Sequence, residues 1–150
     1  FGHLRATKPI KSHIYFEGFA QKEFNHFIDL ENRELVGGGF RVNLFNQLYL
    51  GLGIMSETEK YYKPNSQHFI KSTNYLNYSH KLFEILELQN ILYYQFKLEE
   101  PGAYRILWDG KLTFSGSKNI SFHINCHYRY DLESGNPNYF EISNGLGFQF

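Results

Sequence analysis

Residues 139–150 read YFEISNGLGFQF. In an extended chain, Phe140, Ile142, Asn144, Leu146, Phe148 and Phe150 fall on one side, and Glu141, Ser143, Gly145, Gly147 and Gln149 on the other. A period of two with one apolar face predicts a β-strand. One face is almost wholly apolar, and the run finishes on an aromatic. What lies against that face decides the fold.

The same pattern extends upstream. Leu86, Leu88, Leu92, Tyr94, Phe96 and Leu98 share a face opposite Glu87, Gln89, Tyr93, Gln95 and Lys97. Tyr104, Ile106, Trp108, Leu112 and Phe114 oppose Arg105, Asp109, Lys111 and Thr113, and Ile120, Phe122, Ile124, Cys126, Tyr128 and Tyr130 oppose Ser121, His123, His127 and Arg129. Less regular alternation runs through the first half. Eight strands are predicted, at 12–26, 32–45, 47–58, 67–82, 85–99, 103–116, 119–131 and 139–150. No helical periodicity, low-complexity segment or domain linker interrupts them, and 150 residues suit one domain. The connections at 45–47, 83–85 and 116–119 are tight, while 26–32, 56–68, 99–103 and 131–138 are mostly longer and more polar. Short and long connections in alternation predict an antiparallel up-and-down meander with two dissimilar ends.

Two all-β arrangements fit such a meander. A soluble barrel points its apolar face inward, where it would carry a small apolar ligand. A transmembrane barrel points that face into lipid and its polar face into the lumen. Strands of soluble folds usually run about five to six residues, whereas crossing the hydrocarbon layer takes about 9–11. The predicted strands are of the longer kind. Their polar face is rich in Tyr, Gly, Asn, Ser and Gln with isolated charges of both signs, unlike the dense Lys/Glu cover of a water-facing surface. Tyr104 and Tyr130 stand near strand ends on the apolar face, where an interfacial aromatic girdle belongs. The expectation is therefore a transmembrane β-barrel, with Trp108 and Cys126 facing lipid and the lipid bilayer as its partner.

Composition narrows the function. Lys+Arg and Asp+Glu are both 15, so there is no basic excess for nucleic acid. A single cysteine excludes an internal disulfide and any cysteine-based metal motif. No apolar run is long enough for a membrane helix, and no charged segment followed by an apolar one marks a signal peptide. On these grounds the chain is expected to be cytoplasmic, already processed, or a fragment.

The segments GFAQKEFNHFIDLENRELVGGGFRVNLF, LGLGIMSETEKY, STNYLNYSHKL, YYQFKLEEPGAYRI, YRYDLESGNP and NGLGFQF resemble, in that order and over nearly the whole chain, the salt-induced outer-membrane protein family, whose function is unknown. The resemblance implies an outer-membrane β-barrel of a Gram-negative bacterium, with a structural or envelope-stress role and no catalytic residue to carry over. The alternating aromatics ending in Phe150 are similar to the C-terminal signature of bacterial outer-membrane proteins, which implies the barrel insertion machinery as a partner and a periplasmic position for Phe150. Counting back, the tight connections are then periplasmic and the long ones extracellular, the usual asymmetry. Residues 1–11 look like a partial strand or a tail. Eight strands plus a stub is an odd count, where single-chain bacterial barrels are even, so the chain is expected to be the C-terminal part of a larger barrel unless 1–11 is a plug.

The candidate chemistry is lumenal charge. Glu17, Glu23, Arg41, Lys71, Glu87, Lys97, Arg105, Asp109, Lys111, Arg129 and Glu141 fall on the polar face and balance in sign. In a narrow barrel they would form a paired network. In a wider one they would line a solute channel, and a surface receptor working through residues 56–68 is the other alternative. No cofactor or metal site is expected: His123 and His127 share a face but stand about 13 Å apart on a strand, too far to share an ion. Ser121, His123 and Glu141 suggest a hydrolase triad, but no nucleophile motif surrounds Ser121. Gly37, Gly38 and Gly39 do not follow a phosphate-loop pattern and are expected to relieve crowding or permit curvature.

Overall fold

The computed structural model describes residues 2–26, 30–62, 66–116, 119–132 and 137–148. The terminal Gln149 and Phe150, and the middle of the 56–68 and 131–138 connections, lie outside the described residues. Nine antiparallel strands form one sheet in sequence order: β1 (Gly2–Lys11), β2 (Ile14–Asn25), β3 (Leu30–Phe45), β4 (Leu48–Tyr61), β5 (Ser66–Phe83), β6 (Leu86–Lys97), β7 (Tyr104–Ser115), β8 (Ile120–Asp131) and β9 (Asn138–Phe148). The all-β meander is as the periodicity indicates. The count differs from eight plus a stub, because residues 2–11 make a complete strand, paired with β2 from Gly2↔Lys22 to Pro9↔Tyr15. Pro9 is tolerated because β1 lies at the sheet edge, where a missing N–H need not break a ladder.

The two ends of the sheet differ. At one end adjacent strands are joined by two residues at 12–13, 46–47 and 84–85 and by four at 116–119, and at the other by four to six residues. Asn46 and Gln47 both take positive φ, 30° and 71°, the requirement of a two-residue hairpin whose twist matches its strands. A two-residue turn by itself pairs odd with even, as at Lys11↔Ile14, Phe45↔Leu48 and Phe83↔Leu86, but a bulge beside each of these turns shifts the register by one. The body of every ladder therefore pairs odd-numbered residues with odd, as in Gly39↔Gly53, Thr73↔Gln95 and Arg105↔Asp131. All odd positions therefore share one face and all even positions the other.

The sheet curls around its odd face until side chains from all nine strands line a single cavity of about 420 Å³. Among the described residues, β1 and β9 pair only with β2 and β8, so the sheet is curled without a ladder across the seam. The faces are inverted relative to a water-soluble core. The buried large hydrophobics are Leu30, Leu35, Met55 and Tyr75 alone among the described residues. The even face exposes Leu4, Phe16, Val36, Ile54, Leu92, Ile142 and Leu146, with Leu4 at 77% and Leu146 at 64% of full accessibility. The odd face buries Glu57 at 0%, Arg105 at 2% and Arg33 at 3%.

Curvature is concentrated on β3 and β4. A Cβ on Gly39 would run into the carbonyl of Leu52 and lie 2.6 Å from the Cα of Gly53. One on Gly37 would lie 2.5 Å from the Phe19 ring and 2.6 Å from the Ile54 carbonyl oxygen. Gly51 sits directly beneath the ring of Tyr75. These inward positions hold glycine because the space a side chain would take is filled, by backbone at Gly39, by backbone and the Phe19 ring at Gly37, and by the Tyr75 ring at Gly51. Gly18, by contrast, has nothing within 4 Å of its would-be Cβ. Gly39→Ala is expected to destabilise the fold by about 1–3 kcal/mol, since a backbone carbonyl has to move, while Gly18→Ala stays within about 1 kcal/mol of the parent. Equilibrium unfolding in urea compares the two.

Candidate functional site

The odd face carries a continuous layer of ionised side chains near the long-loop end. Its centre is Glu57 on β4, fully buried. Glu57 Oε1 accepts from Arg33 Nε at 2.6 Å and from Arg105 Nη1 at 2.9 Å, and Oε2 lies 3.3 Å from Lys71 Nζ. Arg105 on β7 uses all three nitrogens: Nη1 to Glu57, Nη2 to Glu59 at 2.7 Å, and Nε to Asp131 at 2.6 Å. Arg129 donates to Asp131 at 2.7 Å, Arg33 Nη1 to Glu23 at 3.0 Å, and the Tyr61 hydroxyl to Glu59 at 3.0 Å. Four cations, Arg33, Lys71, Arg105 and Arg129, thus interleave with four carboxylates, Glu23, Glu57, Glu59 and Asp131, from β2 to β8. A lone buried ion would cost several kcal/mol in desolvation; charge-assisted bonds to more than one partner offset it.

A second group lies deeper. The Tyr75 hydroxyl donates to Glu17, Arg41 lies 3.6 Å from Glu17, and the Arg41 guanidinium stacks 3.8 Å over Tyr49. Arg5 of β1 donates to the Tyr93 hydroxyl of β6 at 3.3 Å and lies 5.5 Å from the centre of the Tyr75 ring. Bonds Arg105–Glu57, Tyr75–Glu17 and Arg5–Tyr93 all join strands that are not sheet neighbours, so they span the lumen and brace the curl.

The charges singled out in the sequence all stand on odd positions of the inward face, but the structure divides them. Arg105 and Arg129 join the ionic layer with Glu23 and Lys71. Glu17 and Arg41 pair with each other. Asp109 is hydrogen-bonded to His127, and Glu141 accepts from the Tyr139 hydroxyl at 2.6 Å. Glu87 accepts from Gln89 at 2.9 Å, and Lys97 Nζ lies 3.6 Å over the Phe69 ring. Lys111, opposite Gln89 and Asn125, stands apart from the layer. The triad of Ser121, His123 and Glu141 is not assembled. Ser121 bonds His123 Nε2 at 3.0 Å, but Nδ1 faces the Thr113 hydroxyl at 3.1 Å, and Glu141 is registered with His127. No group of three or more potential metal ligands occurs among the described residues. On the even face, Trp108 Nε1 donates to Asn90 at 3.2 Å.

The centre of the layer, Glu57 with Glu59, was not among the charges selected by sequence. Glu59 falls in the 56–68 connection and Glu57 where that connection overlaps the predicted strand 47–58, yet the alternation Met55, Glu57, Glu59, Tyr61 against Ile54, Ser56, Thr58, Lys60 continues to the end of β4. Carrying the period through that polar stretch would have found them. Arg105→Gln is expected to cost about 3–5 kcal/mol, because it leaves buried carboxylates uncompensated. Lys22→Gln, which removes the outward Lys22–Glu34 pair with side chains 67% and 54% exposed, costs no more than about 1 kcal/mol. Urea midpoints of the two variants test the contrast.

No curated protein and no solved structure matches the chain. The family of uncharacterised proteins described as "Protein of unknown function, DUF481" matches residues 1–150, and the chain belongs to that family.

Proposed function

We propose that the chain forms an outer-membrane β-barrel wall in a Gram-negative bacterium, its even face in lipid and its odd face around a lumen closed by ion pairs. The observation that carries this reading is the inversion of the faces: large apolar side chains are exposed while Glu57, Arg105, Arg33 and Asp131 are buried. In water such a surface would be an extended apolar patch; in lipid it is the required one.

Further features support it. Tyr94, Tyr104 and Tyr130 form a row on the even face, with centroids 5.8 and 5.9 Å apart, towards the long-loop end. Phe114 and Phe122 pair 6.3 Å apart towards the other. About ten residues separate Tyr104 from Phe114, roughly 33 Å along the strand and roughly 25 Å across the layer at a tilt of about 40°. That matches the apolar band of outer-membrane barrels. Polar groups on the even face satisfy one another: Asn90 with Trp108, and Asn74 with Ser72 at 3.1 Å and the Tyr94 carbonyl at 3.3 Å. The resemblance to the salt-induced outer-membrane family adds an envelope-stress role. The ionic layer across the lumen favours a structural barrel over an open channel.

Two experiments test the reading. In cell fractions the chain is expected with the outer membrane and to migrate faster on gels before boiling than after; recovery as a detergent-free monomer in buffer would reverse the orientation of the faces. Leu92→Arg, at mid-height on the even face opposite Trp108, is expected to cost about 2–4 kcal/mol in lipid vesicles. A surface exposed to water would tolerate it within about 0.5 kcal/mol.

A further inference from the structure

Four buried side-chain atoms without a hydrogen-bond partner belong to residues lining the 420 Å³ cavity: Arg5 Nε, Arg33 Nη2, Glu17 Oε1 and Gln95 Oε1. Two are donors and two are acceptors. Each buried polar atom left unbonded costs about 1–3 kcal/mol, so the cavity is built for a polar occupant. Its charge requirement comes from Arg5. Arg33, Arg41, Arg105 and Arg129 each have a carboxylate within 4 Å. Arg5 has the Tyr93 hydroxyl and the Tyr75 ring, and no ion pair among the described residues. One strand over and diagonal to Arg5, Glu17 has Arg41 at 3.6 Å from its Oε1.

We infer that this cavity binds a small zwitterion of the amino-acid type, its carboxylate on Arg5 and Arg33 and its ammonium on Glu17 and Gln95. A simple anion would answer Arg5 but leave both acceptors empty. A diamine would do the reverse, and a sugar would leave Arg5 without a direct ion pair. A volume of 420 Å³ lies at the lower end of small-molecule sites and suits a ligand of that size. The tilted pair Tyr75 and Tyr93, with centroids 5.6 Å apart, supplies an aromatic wall beside the carboxylate end. The inference rests on the lumen alone and not on which solvent bathes the outer face.

The test uses the full chain folded in detergent, its folding verified by the gel shift before boiling. Isothermal titration with L-glutamine is expected to show saturable binding. Glutarate, putrescine and glucose, which carry only the anion, only the cations, or neither, are expected to bind at least about tenfold more weakly. Arg5→Gln and Glu17→Gln are each expected to weaken glutamine about tenfold or more, the loss of one charge-assisted bond. Gln95→Leu, which touches no ion pair, is expected to weaken it several-fold and decides the matter if the charge variants do not fold. Folded protein that gives no saturable signal with millimolar glutamine overturns the inference while leaving the membrane reading intact. So does equal or tighter binding of glutarate, putrescine or glucose, or unchanged glutamine affinity in the folded variants.

Discussion

Arg105 is the keystone of the curl. Its guanidinium leaves β7, crosses the lumen, and divides its donors between Glu57 and Glu59 on β4 and Asp131 on the neighbouring β8. The arrangement works only because a planar fork of N–H groups can serve several carboxylates at once, which an ammonium cannot match. It also requires that the carboxylates share a face, and the bulges beside the two-residue turns provide that by setting odd residues against odd along the body of every ladder. A one-residue slip in any hairpin would turn the charges of one strand outward and its leucines and phenylalanines inward. Register, charge and curvature are therefore one constraint seen at three scales.

The interior is stabilised by polarity where most domains use apolar packing. Four large hydrophobics are buried among the described residues, and the rest of the tightly enclosed volume belongs to ionised groups, tyrosines and amides. Such an interior tolerates little simplification. Removing an ion strands its partners, and adding a methyl group at Gly39 meets backbone. The outer face is the opposite: its side chains are exposed, touch few neighbours, and ask only for a surrounding medium in which apolar surface is at home.

How far the sequence alone was legible follows from contrast between faces. From β6 to β8, where apolar and polar residues alternate cleanly, predicted limits such as 103–116 lie within a residue or two of Tyr104–Ser115. Legibility fails where both faces are polar. Beyond Ile54, β4 reads Met55, Ser56, Glu57, Thr58, Glu59, Lys60, and the period-two signal loses amplitude although the strand continues to Tyr61. The ionic centre was hidden there. β1 was obscured likewise by Lys8 among its outward residues and Pro9 among its inward ones. The partners of Arg105 across the lumen, Glu57 and Glu59, are not readable from sequence, since they depend on how far the sheet curls, whereas Asp131 stands directly opposite it on β8. Gly37 and Gly39 were anticipated as sites of crowding or curvature, and backbone contacts now give that a cause.

The cross-lumen bonds have a consequence for the order of assembly. Every ladder joins strands adjacent in the chain, so hairpins add one after another with little loop-closure entropy to overcome. The braces are of another kind. Arg105–Glu57 links residues 48 apart, Tyr75–Glu17 58 apart, and Arg5–Tyr93 88 apart. They form only when the growing ribbon has bent far enough for distant strands to meet. Folding thus divides into a zipping phase, in which neighbouring strands also close pairs of their own such as Arg33–Glu57 and Arg105–Asp131, and a locking phase that waits for the bonds across the lumen.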